Sequence, residues 1–534
     1  MMTLWDHLPV LPVLLPLATA VALLALGDGG GADAGAHGNR VLRRARWLSL
    51  LSVLAGLAVA VALLLRAADG TLSVYRLGAW PAPFGIALVV DRLSALMLVL
   101  VQVIALPALV YASGGWDAHG RHFHALFQFQ LMGLAGAFVT GDLFNLFVFF
   151  EVLLIASYVL MVHGQGRQRL RFGVPYVVLN LAASALFLVG MALVYAFTGT
   201  LNLADLALRV PQVPAPDAAV LQAGAMLLLV VFGFKAALLP LHLWLPNTYA
   251  ATSAPVAALF ALMTKVGVYA ILRVHGVVFG SGAGPSADLV QPWLLPMALA
   301  TGALGVLGAL AAGTLARLVG WLNVASVGTI VAALGLFSTA AWSAALFYLV
   351  HSTLVVAALF LLAELVAAQR GDAGGALRPA SPVAQPLLLG LLLLLGGASV
   401  AGLPPLPGFL GKVMILQAAQ GPAALWVWAV VLGVGFFTLV GLARAGSILF
   451  WAEQPLAPDA AACGAGASPR LLAPMFMLVA ATLAMVVWAS PIKRYVDAAA
   501  QQVTDRAAYA QAVLGDAQAQ TVRPFRAGEA GGGR

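Results

Sequence analysis

Charge is what this sequence has least of. Asp, Glu, Lys and Arg make up 9% of its 534 residues, against roughly a quarter in soluble globular domains. No water-facing surface can be built at that level, and 62% hydrophobic residues with a mean hydropathy of +1.00 exceed what one core could hide. A soluble enzyme, a nucleic-acid binder and a disordered scaffold are excluded as descriptions of the whole chain. The lone cysteine, Cys463, excludes disulfides, thiolate zinc sites and iron–sulfur ligation within the chain. No P-loop is present, which argues against ATP-driven transport. Asp117, His119, His122 and His124 crowd one gap, but their spacing is irregular, so neither a metal nor a cofactor is expected. What remains is a polytopic membrane protein embedded in a lipid bilayer.

Long apolar runs are what the chain has in abundance. At about 20 apolar residues per crossing, spans fall near 8–26, 47–65, 91–111, 124–141, 143–162, 174–198, 220–245, 254–278, 293–314, 320–338, 343–368, 385–420, 423–445 and 471–490. The fold class is therefore all-α, with about fourteen transmembrane helices and the 385–420 span broken by proline. Met1 to Leu26 opens with Asp6 and His7 and meets its basic residues only afterwards, so it reads as a retained first helix and not as a signal peptide. Arginines at 40–46, 121, 167–171, 317, 370, 378, 444 and 470 fall in alternate gaps. That asymmetry puts those gaps inside and both termini outside. Residues 27–38 and 457–468 read as linkers, 199–209 as a short interfacial piece, and the last 30 residues as a frayed helix and tail.

Lysine is scarcer still, and its placement is informative. Only four occur: Lys493 in the tail, and Lys235, Lys265 and Lys412 inside apolar runs. Glu151 sits midway along Leu143 to Val162, at least about 12 Å from either end at ~1.5 Å per residue. His351 lies inside the eleventh span. Each ionisable group at membrane depth costs at least about 2.5 kcal/mol on insertion scales, so such groups mark ion pathways. Arginine stays charged, whereas a lysine out of water can release its proton. Each residue also has a purely structural reading, as a helix-pairing carboxylate, a snorkelling lysine or a hydrogen-bonded core histidine, and for His351 that reading is nearly as strong. His242 falls on the Lys235 face only if Pro240 merely kinks the helix. Lys265, Tyr269 and Arg273 share one helix face at spacings of four, as a hydrated lane or a bundle seam. Glu364 reads as structural, near Arg370.

Pro240 and Pro246 follow Lys235, and Pro404, Pro405 and Pro407 precede Lys412. Two interrupted spans, each with a nearby lysine, point to paired halves of a transporter. The five spans from 124 to 280 and the five from 293 to 445 start on opposite sides, as inverted repeats require. Helices 1–3 (1–123) precede them, and a last helix and tail (446–534) follow.

The run TGDLFNLFVFFEVLLIASY from Thr140 to Tyr158 resembles the fifth-helix motif of D subunits of Mrp-type multisubunit monovalent cation/proton antiporters. FGFKAALLPLHLWLP (232–246), MTKVG (263–267) and GLPPLPGFLGK (402–412) are similar to the same superfamily, which includes the antiporter-like proton-pumping subunits of respiratory NADH:quinone oxidoreductase. The resemblance covers about 90–450. It implies fourteen helices, two inverted five-helix repeats, and breaks in the seventh and twelfth helices. By position it implies that Glu151, Lys235, Lys265, His351 and Lys412 form a chain of protonatable groups, with His242 and Tyr269 as secondary candidates. A switchable Glu151–Lys235 ion pair would start proton movement in exchange for Na⁺ or K⁺. The implied partners are other membrane subunits of a hetero-oligomer in the bacterial cytoplasmic membrane. The alternative is a proton-pumping subunit of a redox complex, of the NADH:quinone oxidoreductase or membrane-bound hydrogenase type.

Overall fold

The computed structural model describes residues 4–27, 36–452 and 466–515. Cys463 and most of the two linkers expected at 27–38 and 457–468 lie outside the described residues. Helices α1 (Leu11–Leu26) and α2 (Ala36–Ala67) lead to a hairpin, β1 (Ser73–Arg76) paired antiparallel with β2 (Ala87–Val90). Then come α3 (Arg92–Ala112), α4 (Phe123–Val139), α5 (Leu143–Val162), α6 (Arg167–Thr198) and the short α7 (Leu203–Arg209). The seventh span is α8 (Ala215–Ala236) plus α9 (Trp244–Ala251); the eighth is α10 (Ala254–Phe260) plus α11 (Met263–Ile271), which widens into a π turn over Leu272–Val278. Next are α12 (Gln291–Leu310), α13 (Leu315–Leu334), α14 (Thr339–Ala368), α15 (Pro386–Ala401) and α16 (Pro407–Ala418). The chain continues through α17 (Ala424–Phe450), α18 (Pro469–Val487), α19 (Ala489–Thr504) and α20 (Arg506–Leu514).

Among the described residues, twelve helices are long and apolar enough to cross a membrane; the shorter apolar α4 and α15 occupy the fourth and twelfth expected positions. The protein is a nearly all-helical membrane bundle. Its centre is α10–α11, α13 and α14, with the most apolar stretch of Ala254–Val278 100% buried, against 22% for that of Gly421–Phe450 at the periphery. The outer helices turn Leu, Val, Phe and Trp outward, as at Val174, Val178, Trp426 and Phe436, which suits lipid or an apolar partner.

The breaks expected in the seventh and twelfth spans are present, and the first takes His242 off the Lys235 helix face: α8 stops at Ala236, and Ala237 takes a left-handed conformation, φ 60°. The α15 helix stops the same way at Gly402, φ 87°. In both, an amide two residues past the helix closes the last turn: Leu238 N–H on Gly233 O at 2.8 Å and Leu403 N–H on Ala398 O at 2.9 Å. That closure is the Schellman stop. Of the last 30 residues, read as a frayed helix and tail, the part up to 515 carries α20, which packs on α7, and 516–534 lie outside the described residues. Before it, α19 packs on α14 and α3, because it carries one apolar stripe, Val496, Ala499, Ala500 and Val503, for a bundle to bury. The hairpin does not stand out in hydropathy, because four-residue strands carry too little pattern.

A second matched pair of features sits at helix starts. Asp142, the α5 N-cap, bridges to Asn202 after α6, through Leu143 N–H on Leu201 O (2.8 Å) and Leu203 N–H on Gly141 O (2.9 Å). Thr314, the α13 N-cap, bridges to Ala376 after α14, through Leu315 N–H on Gly375 O (2.8 Å) and Leu377 N–H on Gly313 O (2.9 Å).

At one rim of the bundle Arg46 grips Asp117 with two bonds, 2.6 and 2.8 Å, while His124 holds the same carboxylate at 3.1 Å. Burial alone would raise the Asp117 carboxyl, but these partners hold it below the usual carboxylate value. Arg46→Ala strands a buried charge that only His124 and rim water can then compensate. A stability loss on the order of 2 kcal/mol is expected, read as a lower melting temperature of the purified assembly; an unchanged melting temperature contradicts it.

Candidate functional site

The buried polar groups lie one after another on neighbouring helices of the bundle. At one end, α5 presents Glu151, half-buried, and its carboxylate accepts a hydrogen bond from the Ser184 hydroxyl of α6. One turn earlier on α6, Asn180 Oδ1 accepts from Lys235 Nζ at 3.0 Å. The carboxylate and the lysine of the expected switchable ion pair make no direct contact in this structure. Each is held by one of two α6 side chains at i and i+4, which share a face. Lys235 also lies near the rings of Phe150 and Phe234, 6.0 and 5.8 Å from their centroids, and at the carbonyl end of α8, where a cation is favoured.

Next in line is Lys265 of α11, fully buried. Its Nζ donates to Asn323 Oδ1 of α13 at 2.7 Å and lies 3.3 Å from Thr264 Oγ1. The two lysine-bearing helices touch backbone to backbone at Gly267, where a Cβ would come within 2.5 Å of Ala236 N. No larger residue fits without moving the lysines apart.

Beyond α13 comes His351 of α14, wholly buried, with neither ring nitrogen in good hydrogen-bond geometry to a protein atom. The α16 helix packs closely there: a Cβ on Gly408 would meet Ser399 O at 1.9 Å and His351 Nε2 at 2.8 Å. The far end is Lys412, whose Nζ donates to Val400 O at 3.0 Å and Ala401 O at 2.7 Å. It caps the carbonyl end of the broken α15, the negative pole of that helix.

Not every candidate joins this series. His242 lies in the turn after the α8 break, off the Lys235 helix face, its ring tilted against Trp321 with centroids 5.6 Å apart. Tyr269 and Arg273 follow Lys265 along one face but lead toward the hairpin, where Arg273 meets Asp91. Glu364 does not meet Arg370; it accepts from Trp116 Nε1, from Tyr111 Oη at 3.3 Å and from Ala254 N–H at 2.9 Å, tying the start of α10 to α14. Among the described residues no group of three or more His, Cys, Asp or Glu could hold a metal ion. Sequence reasoning missed Asn180, Ser184 and Asn323 because it searched apolar spans for charges only. Buried amides in the middle of such spans were the available signal.

Fold and site together are those of a polytopic membrane subunit with ionisable groups buried at membrane depth. A family profile described as NADH:quinone oxidoreductase/Mrp antiporter, transmembrane, matches residues 140–438, and the chain belongs to that family. It is 40% identical to the D subunit of a probable K(+)/H(+) antiporter of Rhizobium meliloti, over 96% of this chain and 98% of the relative. It is 36% identical to the D subunit of a Na(+)/H(+) antiporter of Alkalihalophilus pseudofirmus, over 95% and 99%. A solved chain of the Mrp complex from Dietzia sp. superposes with a TM-score of 0.83 at 28% identity, covering 96% of this chain and 100% of that one.

Proposed function

We propose that the chain is the D-type membrane subunit of a multisubunit monovalent cation/proton antiporter of the bacterial cytoplasmic membrane. In this reading it carries protons along Glu151, Lys235, Lys265, His351 and Lys412 in exchange for Na⁺ or K⁺. The observation that carries the reading is what the lysines touch. Each rests on a neutral oxygen: Asn180 Oδ1, Asn323 Oδ1, or the carbonyls of Val400 and Ala401. A neutral acceptor serves a charged ammonium and an uncharged amine alike. A permanent carboxylate contact would pin the proton on the lysine instead. Buried polar atoms not in good hydrogen-bond geometry to a protein atom, on His351, Ser399 and Asn323, line the same path, and such atoms are where internal water completes a proton route.

In this proposal the chain is built of two inverted repeats, 124–280 and 293–445, with the first three helices (1–123) before them and the last helix and tail (446–534) after. The matched bridges at Asp142 and Thr314 and the matched stops at Ala237 and Gly402 support it. From the start of α5 to the start of α13 the chain crosses five times, an odd number, which sets the paired features on opposite faces. The arginine asymmetry supports the hairpin face, with both termini, as the outside.

The test uses inside-out vesicles carrying the complete complex, energised to an acid interior and followed with a pH-sensitive dye. Addition of Na⁺ or K⁺ is expected to alkalinise the interior. No cation response, with acidification driven by a reductant through the same complex, overturns the proposal in favour of a redox-driven pump.

A further inference from the structure

The stripe Lys265, Tyr269, Arg273 ends at the hairpin face in a polar cluster that the proton path does not use. Tyr269 Oη donates to Phe138 O at 2.7 Å and accepts from Arg273 Nε at 2.9 Å. Arg273 Nη2 reaches Asp91 Oδ1 at 2.5 Å and Ser94 Oγ at 3.0 Å. Asp91 in turn caps α3 by accepting from Ser94 N–H at 2.8 Å. Tyr269, Arg273 and Asp91 are 3%, 4% and 1% exposed, so this is an ion pair sealed from solvent at the end of a span.

The seal is the C-terminal segment. Tyr509 of α20 lies over the Arg273 guanidinium, 5.9 Å from it. The segment is tied down by Gln502, which donates to Gly70 O at 3.0 Å and accepts from Arg92 N–H at 3.0 Å, and by Tyr495 on Arg92 O at 3.1 Å. Arg76 fixes its far end through Val513 O at 3.1 Å. Directly under the seal, α11 widens into the π turn that carries Arg273, a local loosening that recurs at functional sites.

We infer that the Asp91–Arg273 pair, with Tyr269 setting the arginine and α20 covering it, is the gate at the hairpin-face end of the proton path from Lys265. This rests on the proton path proposed above. Asp91 is the carboxylate that the Lys265 face leads to; Arg273 lies two helix turns on, roughly 12 Å. A proton leaving the Lys265 ammonium through water is taken up by the Tyr269 hydroxyl as that hydroxyl turns its own proton to Ser94 Oγ, 3.3 Å away; Ser94 gives its proton in turn to the Asp91 carboxylate, which becomes the acid. The acid no longer attracts Arg273, and the pair opens. Loss of that proton to bulk water restores the carboxylate and the pair closes. Between transfers the closed pair, buried under Tyr509, shuts the end of the span to water and other cations, which keeps the path from leaking.

The test is passive leak, measured in vesicles of the assembled complex that hold a pH gradient with no Na⁺ or K⁺ present. Arg273→Gln is expected to collapse the gradient about ten-fold faster than wild type, since one buried charge-assisted contact guards the barrier. Arg273→Lys, which keeps the cation, is expected to restore most of the tightness. Asp91→Asn is expected to stay tight and to lose about 100-fold in exchange rate. A gradient held equally well by Arg273→Gln, or wild-type exchange through Asp91→Asn, overturns the gate. Should Arg273→Gln not assemble, Tyr269→Phe removes only one hydroxyl, and exchange slowed several-fold is expected; unchanged exchange then overturns it. The leak needs no cation, so a leaking Arg273→Gln complex beside a wild type that never answers Na⁺ or K⁺ upholds the gate while the exchange reading fails.

Discussion

Replacing Glu151 by Gln is expected to reduce cation-triggered alkalinisation to below about 1% of wild type while the complex still assembles. The reason is local. Glutamine has the same shape, and its side-chain oxygen can still accept the Ser184 hydroxyl that Glu151 accepts now, so neither packing nor the α5–α6 contact is lost. What disappears is the ability to carry a charge and bind a proton. Ser184→Ala removes only the hydrogen bond and is expected to cost a few-fold at most, because the carboxylate keeps its charge and its capacity to bind a proton. The ordering of the two variants is therefore part of the prediction. The measurement is the initial rate of the dye response at matched amounts of assembled complex. Exchange retained by Glu151→Gln takes that carboxylate off the path.

The separation of Glu151 from Lys235 shows where sequence reading stops. Spacing places both residues at membrane depth, and the resemblance pairs them; neither can reveal that α6 stands between them with Ser184 and Asn180. Hydrogen-bond partners are set by helix rotation and crossing, which depend on distant close contacts such as Gly267 against Ala236. A search for charges inside apolar runs finds the protonatable groups because insertion cost makes them rare. It overlooks the amides that receive them, because a neutral amide costs less and stands out less.

Fold legibility divides the same way. The spans are legible because a bilayer demands long apolar runs whatever the packing. The break at Ala237 is less so. Proline at 240 signals an interruption, but the helix ends four residues earlier, at a residue with no special preference for positive φ. At the corresponding stop of α15 the sequence has Gly402, which adopts that conformation at no steric cost. The hairpin and the packed α19–α20 segment are illegible for a different reason. They lie at the membrane surface, where hydropathy is mixed, and their order comes from scattered contacts such as Gln502 with Gly70 and Arg92.

Lys412→Arg separates a structural cation from a proton station. Lys412 is 6% exposed and donates to the carbonyls of Val400 and Ala401, so removing it entirely confounds two effects. Lys412→Met leaves two carbonyls at a buried helix end without that donor, at about 1–3 kcal/mol each, and lower yield of the complex is expected from that alone. Arginine keeps the positive charge at the negative pole of α15 and brings more donors than lysine, so the capping role survives. It cannot give up its proton at any physiological pH. The guanidinium is also bulkier than the ammonium it replaces, and a Cβ on Gly435 would already approach Lys412 Nζ at 3.2 Å, so assembly must be verified by co-purification of the other subunits. Given an assembled complex, exchange is expected to fall about 100-fold in Lys412→Arg. If Lys412 were only a cap for the broken helix, arginine would support exchange near the wild-type rate and methionine would be the harmful change. The two variants therefore give different patterns for the two roles once rates are divided by assembled complex: on a proton path both are inactive, and for a cap only methionine is impaired.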